Sequence, residues 1–184
     1  RAALKAGTID AMWMEAIEAD KELYALPLDA AGKLDAGKAL RVYTVVFVRA
    51  SDAALRNIDP ARHFGQRWLG SNHAAPLVAP LRRLGFRIDD GALDTERNLE
   101  KLMRSRIDGY AISVVAPADM DNWIAAKYSN AIVRLERPIQ TANVWLAVSK
   151  DYHARNPAQV AAMWDWVAEN GRQRFAKILR KYDK

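Results

Sequence analysis

Short apolar runs of strand length alternate with stretches of helical period along most of this 184-residue chain. Residues 41–49 and 107–115 are dense in Val, Ile, Tyr and Phe, which predicts strands. Residues 76–84 place Leu77, Val78, Leu81 and Leu84 on one helical face, and Gly85 follows as a stop signal. Such alternation favours an α/β architecture of mostly parallel sheets flanked by helices.

Caps and periodic apolar residues predict further helices downstream. Thr95 is expected to cap a helix, and Pro117 to open the next one. Asn156 and Pro157 begin a third, which Gly171 is expected to break before a last helix. The residues expected to face inward on these helices are Leu99, Leu102, Met103, Met120, Trp123, Ile124, Val160, Met163, Trp164 and Val167.

The composition excludes several classes of protein. Hydrophobic residues make up 51% of the chain and charged residues 27%, unlike a disordered or fibrous sequence. No apolar run approaches the roughly 18 residues that a membrane span requires. A globular protein without direct membrane insertion is therefore expected.

A net charge of +6 raises the question of nucleic-acid binding. Basic residues do cluster near the end, at Arg172, Arg174, Lys177, Arg180, Lys181 and Lys184. The same segment carries a complete apolar helix face, formed by Phe175, Ile178, Leu179 and Tyr182. Because the aromatic residues of this segment, Phe175 and Tyr182, belong to that apolar face, a solvated helix face is favoured over a phosphate-binding patch, and no nucleic-acid partner is expected.

Enzymatic chemistry finds little support in the sequence. Without cysteine there is no disulfide, thiolate nucleophile or cysteine-bound metal. The three histidines, His63, His73 and His153, lack metal-ligand spacing with each other or with a carboxylate pair. No Gly-x-Ser-x-Gly element or phosphate loop occurs. We therefore expect no catalytic residues, metal or cofactor.

Three segments stand in a recognisable order: LKAGTIDA at 4–11, LGFRID at 84–89 with NLEKL and RSRIDG up to 109, and WLAVSK at 145–150. Together they resemble the amino-acid-type (family 3) extracellular solute-binding proteins of bacterial transport. The resemblance covers nearly the whole chain. It implies a two-lobed type II periplasmic-binding fold that lacks the N-terminal strand, helix and strand. Residues 1–49 and 145–184 would form the truncated first lobe, and residues 50–144 the second.

The resemblance also implies where a ligand would be held. The family places an Arg before the position of Pro27, where this chain has residues 18–22 with Lys21 and no Arg. A Gly-Ser or Gly-Thr pair corresponds to Ala74 and Ala75, and the Asp that holds the ligand's ammonium corresponds to Ser113. These three departures imply that the ligand is not a standard α-amino acid, or that the module senses or docks without binding one.

Five residues are candidate ligand contacts at the implied cleft: Trp13, Glu15, Asn72, His73 and Ser113. Each also has a structural interpretation. Trp13 would stack on a ligand or belong to the core, and Glu15 would pair with a cation or remain a solvated loop acid. Asn72 and His73 would contact the ligand or cap the following helix. Ser113 would contact the ligand or be a satisfied core hydroxyl.

The function expected from these observations is the periplasmic solute-binding component of an ABC-type transporter. It would capture a small polar solute between two lobes and deliver it to a membrane permease. The alternative is a ligand-sensing or interaction domain with a degenerate cleft, from a membrane-associated signalling protein. A small α/β enzyme with an unrecognised site is a third alternative. Either of the first two places the chain in the periplasm or outside the cell.

Overall fold

Strands and helices alternate as the sequence predicts, so the α/β class is confirmed. The computed structural model describes the backbone of residues 1–182 and the side chains of residues 1–52 and 54–171. The strands are β1 Ala11–Met14, β2 Leu40–Arg49, β3 Trp68–Asn72, β4 Arg87–Ala92, β5 Gly109–Val114, β6 Ile132–Arg134 and β7 Gln140–Val148. The α-helices are α1 Ala2–Lys5, α2 Pro60–His63, α3 Val78–Arg83, α4 Thr95–Met103, α5 Pro117–Tyr128, α6 Lys150–Arg155 and α7 Pro157–Tyr182.

The chain divides into two compact units. Unit 1 comprises Arg1–Val42 and Ala142–Lys184, and unit 2 comprises Tyr43–Thr141. The polypeptide therefore passes between the units twice, within β2 and within β7. In the part of the chain that the structure describes, no helix is both long and apolar enough to cross a membrane.

Unit 1 is built on an antiparallel pair. Strand β1 pairs with β7, from Ala11 opposite Val148 to Met14 opposite Trp145. Large apolar side chains pack beside this pair, including two buried tryptophans. Each indole N–H has a hydrogen-bond acceptor: Trp145 Nε1 donates to the Asp35 carbonyl and Trp164 Nε1 to the Leu146 carbonyl, each at 2.8 Å.

Helix α7 corrects the expectation of a break at Gly171, because it runs without interruption through that residue. A Cβ at Gly171 would lie 2.7 Å from Cδ2 of the buried Leu40, so the position needs a glycine for close packing. The backbone is helical to Tyr182, as predicted. The side chains of the basic cluster that begins at Arg172, and of its proposed apolar face, lie outside the described residues.

Unit 2 contains a mixed sheet with β3 at the centre of its parallel part. Strand β3 is parallel to β4 on one side and to β5 on the other. On the far side of β5, β2 runs antiparallel to both β5 and β6. Within this unit, the parallel strands predicted from the sequence are therefore joined by antiparallel ones.

Helices cover both faces of this sheet. Side chains alternate between the faces of a strand, so Val46 and Val48 point one way and Val45 and Phe47 the other. The first pair packs with residues of α3 and the second with residues of α4 and α5. The predicted inward positions Ile124, Leu99 and Leu102 are at most 1% exposed.

Two residues expected to face inward do not. Leu84 is 61% exposed and Met103 is 43% exposed. Leu84 is the C-terminal cap of α3, where Gly85 takes a φ of +89° and turns the chain, and Met103 is the last residue of α4. Helical spacing alone predicts that both lie on the apolar face. Each helix ends at this point, however, so no further helical turn shields the side chain from solvent.

The contrast between Leu81 and Leu84 gives a test of this packing. Leu81 is fully buried in the α3 core, so Leu81→Ala is expected to lower the free energy of unfolding by about 2–5 kcal/mol. Leu84→Ala, the matched control one residue beyond the helix, is expected to change it by no more than about 0.5 kcal/mol. Urea denaturation of the two variants measures both values. Equal losses would contradict this placement of α3.

Candidate functional site

The carboxyl ends of three parallel strands meet along one edge of unit 2, here called the carboxyl edge. Strand β3 ends at Asn72, which is paired with Ala92 at the end of β4, and β5 ends nearby at Val114. Ligand sites of α/β sheets form outside such strand ends, because loops diverge there and leave polar groups uncovered. The carboxyl edge is therefore the candidate ligand site of unit 2.

Asn72 is held in one orientation by two buried partners. Its Oδ1 accepts hydrogen bonds from Tyr110 Oη at 2.9 Å and from Asn98 Nδ2 at 3.0 Å. Both donors occupy the same oxygen, so the amide plane is fixed and Nδ2 points away from them. That nitrogen forms no hydrogen bond with any described residue. Since the side chain is only half-buried, it offers an aligned donor to a ligand.

Tyr110 is one of the two residues that hold the Asn72 side chain in position. Its side chain is fully buried, and its hydroxyl lies 2.9 Å from Thr95 Oγ1. Because Tyr110 gives its only proton to Asn72, the Thr95 hydroxyl must donate to Tyr110. Burial raises the pKa of Tyr110 to about 12. The phenol therefore remains a hydrogen-bond donor throughout the physiological range of pH.

Asn98 is the second support and lies on the inner face of α4. It is fully buried, and Nδ2 also donates to the Asp94 carbonyl at 3.0 Å. Its Oδ1 has no hydrogen-bond partner and faces Gly70, where a Cβ would come within 2.8 Å of it. Gly70 thus leaves the space that this side chain occupies.

The cap of α4 differs from the prediction. Asp94, not Thr95, is the N-cap, and its Oδ1 accepts from the Arg97 backbone nitrogen at 2.8 Å. Thr95 is the first helical residue, and its hydroxyl is engaged by Tyr110 instead. Both residues are common at helix starts, so local sequence could not distinguish them.

His73 and Ser113 also lie at the carboxyl edge. The exposed His73 has its Nδ1 3.2 Å from the Asp90 carbonyl, and Ala74 after it takes a φ of 55° in the turn to α3. Ser113 is exposed in β5, and its Oγ lies 3.2 Å from Thr44 Oγ1. Of its two interpretations, a core hydroxyl is excluded by that exposure. Whether either residue contacts a ligand stays a prediction.

Trp13 and Glu15 belong to unit 1. Trp13 is opposite Leu146 in the β1–β7 pair and is 37% exposed, so it is not a core aromatic. Glu15 follows β1, and its carbonyl oxygen accepts from Arg1. Lys21, near the place of the family's arginine, is paired with Glu18 and donates to the Gly32 carbonyl at 2.7 Å. The predicted ligand contacts of Trp13 and Glu15 stay predictions.

A cavity of about 260 Å³ lies at the opposite edge of unit 2, where Arg49, Asp52, His63, Arg67 and Asp108 line it. Two of its charged side chains form a close ion pair. Arg49 is paired with Asp52 at 2.8 Å and donates to two backbone carbonyls. Burial lowers the pKa of His63, with a smaller contribution in the same direction from Arg67. Among the described side chains, no group of three His, Asp or Glu could hold a metal ion.

The sequence proposes Asn72 as a ligand contact but does not indicate the three residues that form the hydrogen-bond network behind it. Local sequence patterns place Thr95 and Asn98 on a helix and Tyr110 on a strand, and give them no other role. One signal was available: Asn98 stands beside Leu99 and one turn before Leu102, so it interrupts an otherwise apolar face. A buried polar residue in that position generally needs a specific partner.

No protein-family model and no curated protein matches the chain, but solved structures do. The GluR0 ligand-binding core from Nostoc punctiforme, in complex with L-glutamate, has a TM-score of 0.62 at 12% identity, covering 95% of this chain and 74% of that one. The probable amino-acid ABC transporter extracellular-binding protein ytmK from Bacillus subtilis has a TM-score of 0.62 at 10% identity, covering 96% and 73%. A histidine kinase sensor domain similar to periplasmic binding proteins has a TM-score of 0.60 at 15% identity, covering 96% and 72%.

These likenesses establish the fold. The chain has the two-lobed type II periplasmic-binding fold, and the resemblance found in its sequence is confirmed at that level. It spans between 65% and 74% of the length of eight of the matched chains. Identities of 10–16% carry no ligand or partner across, since one fold serves many sites.

Proposed function

We propose that this chain is a solute-binding module, not an enzyme, and that its unit 2 holds a small polar solute at the carboxyl edge. The observation that supports this most is the free Nδ2 of Asn72, held in place by Tyr110 and Asn98. A preorganised donor loses little freedom when a ligand oxygen binds to it, so its alignment contributes to affinity. Asn72 would therefore contact a carbonyl, carboxylate or hydroxyl oxygen of the solute.

The chemistry of this edge argues for a ligand other than a standard α-amino acid. The neutral Ser113 stands where the resembled family has an aspartate for the ligand's ammonium. His73 adds an imidazole beside Asn72. A solute rich in oxygen acceptors would match these two side chains better than one recognised through its ammonium group.

The role we propose is that of the periplasmic component of an ABC-type transporter, delivering the solute to a membrane permease. The transporter binding protein among the solved relatives supports this assignment. A sensory role is the second candidate, supported by the likeness to a histidine kinase sensor domain. In both roles the chain would work outside the cytoplasm.

A ligand screen followed by one isosteric substitution tests the proposal. Thermal-shift measurements with amino acids, polyamines, organic acids and sugars should identify a class that raises the melting temperature. Asn72→Asp keeps an oxygen that can accept from Tyr110 and Asn98 but replaces the free donor with an oxygen. We expect it to weaken binding of that class by about 10- to 100-fold in isothermal titration, as for a ligand acceptor left unpaired.

Two controls accompany this measurement. Asn122→Asp makes the same chemical change at an exposed position of α5 and should leave binding unchanged. Asn72→Ala removes the donor without adding charge, so it separates the lost hydrogen bond from repulsion of an anionic solute. If no class of compound shifts the melting temperature, solute capture loses its support. If a ligand binds Asn72→Asp and the native chain equally, the site is elsewhere.

A further inference from the structure

The other edge of unit 2, where the parallel strands begin, concentrates exposed arginines; it is here called the amino edge. Arg67, Arg87 and Arg106 precede or open the strands β3, β4 and β5, and Arg83 and Arg104 end the helices α3 and α4. All five side chains are exposed. Because the strands are adjacent and parallel, and both helices return antiparallel to them, these residues come together at one side of the unit.

These arginines are only weakly neutralised. Arg83 and Arg106 have no ion-pair partner among the described residues. Arg67 and Arg104 reach carboxylates only at 3.8 Å and 3.9 Å, with side chains more than half exposed. Exposed pairs at such distances contribute little, so the edge keeps a net positive field.

Helix termini explain only part of this pattern. Cations in a last helical turn complement the helix dipole, which accounts for Arg83 and Arg104. Arg67, Arg87 and Arg106 lie next to strand starts, where no such dipole acts. Arg87 stacks on Trp68 and donates to the Gln66 carbonyl at 3.3 Å, and Arg67 has only a long ion pair with Asp108. The helix dipole and local contacts therefore leave Arg106 unexplained among the described residues.

Three apolar side chains protrude among the arginines. Trp68, Leu84 and Met103 are 42%, 61% and 43% exposed. Leu84 follows α3 and Met103 ends α4, and these helices cover opposite faces of the sheet. Trp68 opens the strand between them, with the Arg87 guanidinium 4.5 Å from the centre of its ring. The apolar groups are thus spread across the whole edge.

We propose that the amino edge of unit 2 adsorbs to membrane surfaces that carry anionic phospholipid headgroups. Arginines would contact the phosphates, while Trp68, Leu84 and Met103 would enter the interfacial layer, where amphipathic aromatic side chains are favoured. This proposal goes beyond solute binding and does not depend on it, because it uses the edge opposite Asn72.

The spacing of the apolar residues favours lipid over an acidic protein surface. A protein interface needs a contiguous apolar centre that excludes water, with charges at its rim. Here the three exposed apolar residues belong to different elements, and Leu84 and Met103 lie at the ends of helices that cover opposite faces of the sheet. A lipid surface makes no demand for a contiguous centre, since each side chain enters it independently.

Vesicle cosedimentation provides the test, with the native chain at low salt and two lipid compositions. Vesicles of phosphatidylglycerol and phosphatidylcholine in equal parts should bind the protein, and pure phosphatidylcholine vesicles should not. Arg83→Glu with Arg106→Glu, which breaks no ion pair among the described residues, should weaken binding to the anionic vesicles by about tenfold or more. Trp68→Ala should weaken it while preserving its dependence on salt.

The matched control reverses two exposed cations elsewhere, Lys5→Glu with Arg137→Glu, for the same change in net charge. It should bind anionic vesicles nearly as well as the native chain. Equal losses in the two double variants would show that net charge alone drives adsorption and would overturn the proposal. Retention on immobilised polyglutamate without any vesicle binding would also overturn it, and would assign the edge to an acidic protein partner.

Discussion

Asn98→Asp is expected to lower the free energy of unfolding by about 3–5 kcal/mol at neutral pH, the cost of an unpaired buried charge. Asn98 is fully buried, and its Nδ2 donates to Asn72 Oδ1 and to the Asp94 carbonyl. An aspartate of the same shape would place a carboxylate oxygen against those two acceptors. No described group compensates it, because the other oxygen of Asn98 already lacks a partner.

The loss should depend on pH in a definite direction. Burial and the facing oxygens would raise the pKa of the new carboxyl in the folded protein above its unfolded value of about 3.9. Between those two pKa values the folded state binds more protons than the unfolded state, so stability falls as the pH rises. The difference between native and variant proteins should therefore shrink as the pH is lowered towards the unfolded pKa.

Urea denaturation of both proteins over a range of pH measures this effect. Asn122→Asp, on the exposed side of α5, serves as the control and should follow the native pH profile. If the difference in free energy of unfolding between Asn98→Asp and the native chain does not change with pH, Asn98 is not buried as described. The same result would remove the support that holds Asn72.

Gly70→Ala is the second change with a large expected effect. A Cβ at Gly70 would lie 2.4 Å from Ile107 Cδ1 and 2.8 Å from Asn98 Oδ1, both closer than atoms can pack. The methyl group would force Asn98 off its position beneath Asn72 or push β3 away from β5. We expect a loss of about 1–3 kcal/mol in the free energy of unfolding, typical of overpacking.

Gly65→Ala is the matched control for this substitution. Its Cβ would meet only the Ala61 carbonyl oxygen, at 3.9 Å, an ordinary contact. Replacement of a glycine in an accessible conformation reduces the entropy of the unfolded chain, so this variant should be neutral or slightly more stable. If Gly70→Ala unfolds at the same denaturant concentration as the native chain, the close approach of α4 to β3 is wrong.

Local patterns predicted most of the elements of unit 2. The apolar segments that became β2 and β5 carry strand-forming residues throughout, and the α4 and α5 segments repeat apolar residues at helical spacing. Periodicity reports which residues need burial, so it located the cores well. It failed at element ends, where Leu84 and Met103 lose the cover of a following turn.

The site depended on contacts that no local pattern contains. Asn72 is separated by 26 residues from Asn98 and by 38 from Tyr110, yet both donate to its oxygen. Gly171 shows the same limit, because a glycine in a helical pattern indicates an end unless a distant partner, here Leu40, is known. The sequence could propose Asn72 from its place shortly before a predicted helix, but not the residues that hold its side chain in position.

The composition of β2 affects how its register against the neighbouring strands is determined. Val45, Val46, Phe47 and Val48 are all apolar, so a shift of the strand by one residue would still bury apolar side chains on both faces. Hydrophobicity therefore does not choose among the possible alignments. The alignment of β2 with its neighbours is therefore determined by polar residues near the two ends of the strand. Thr44 lies beside the Ser113 hydroxyl, and Arg49 donates to the carbonyls of Leu102 and Ile107. These two residues specify the register of the strand, and substitutions at either position would allow β2 to pair out of register.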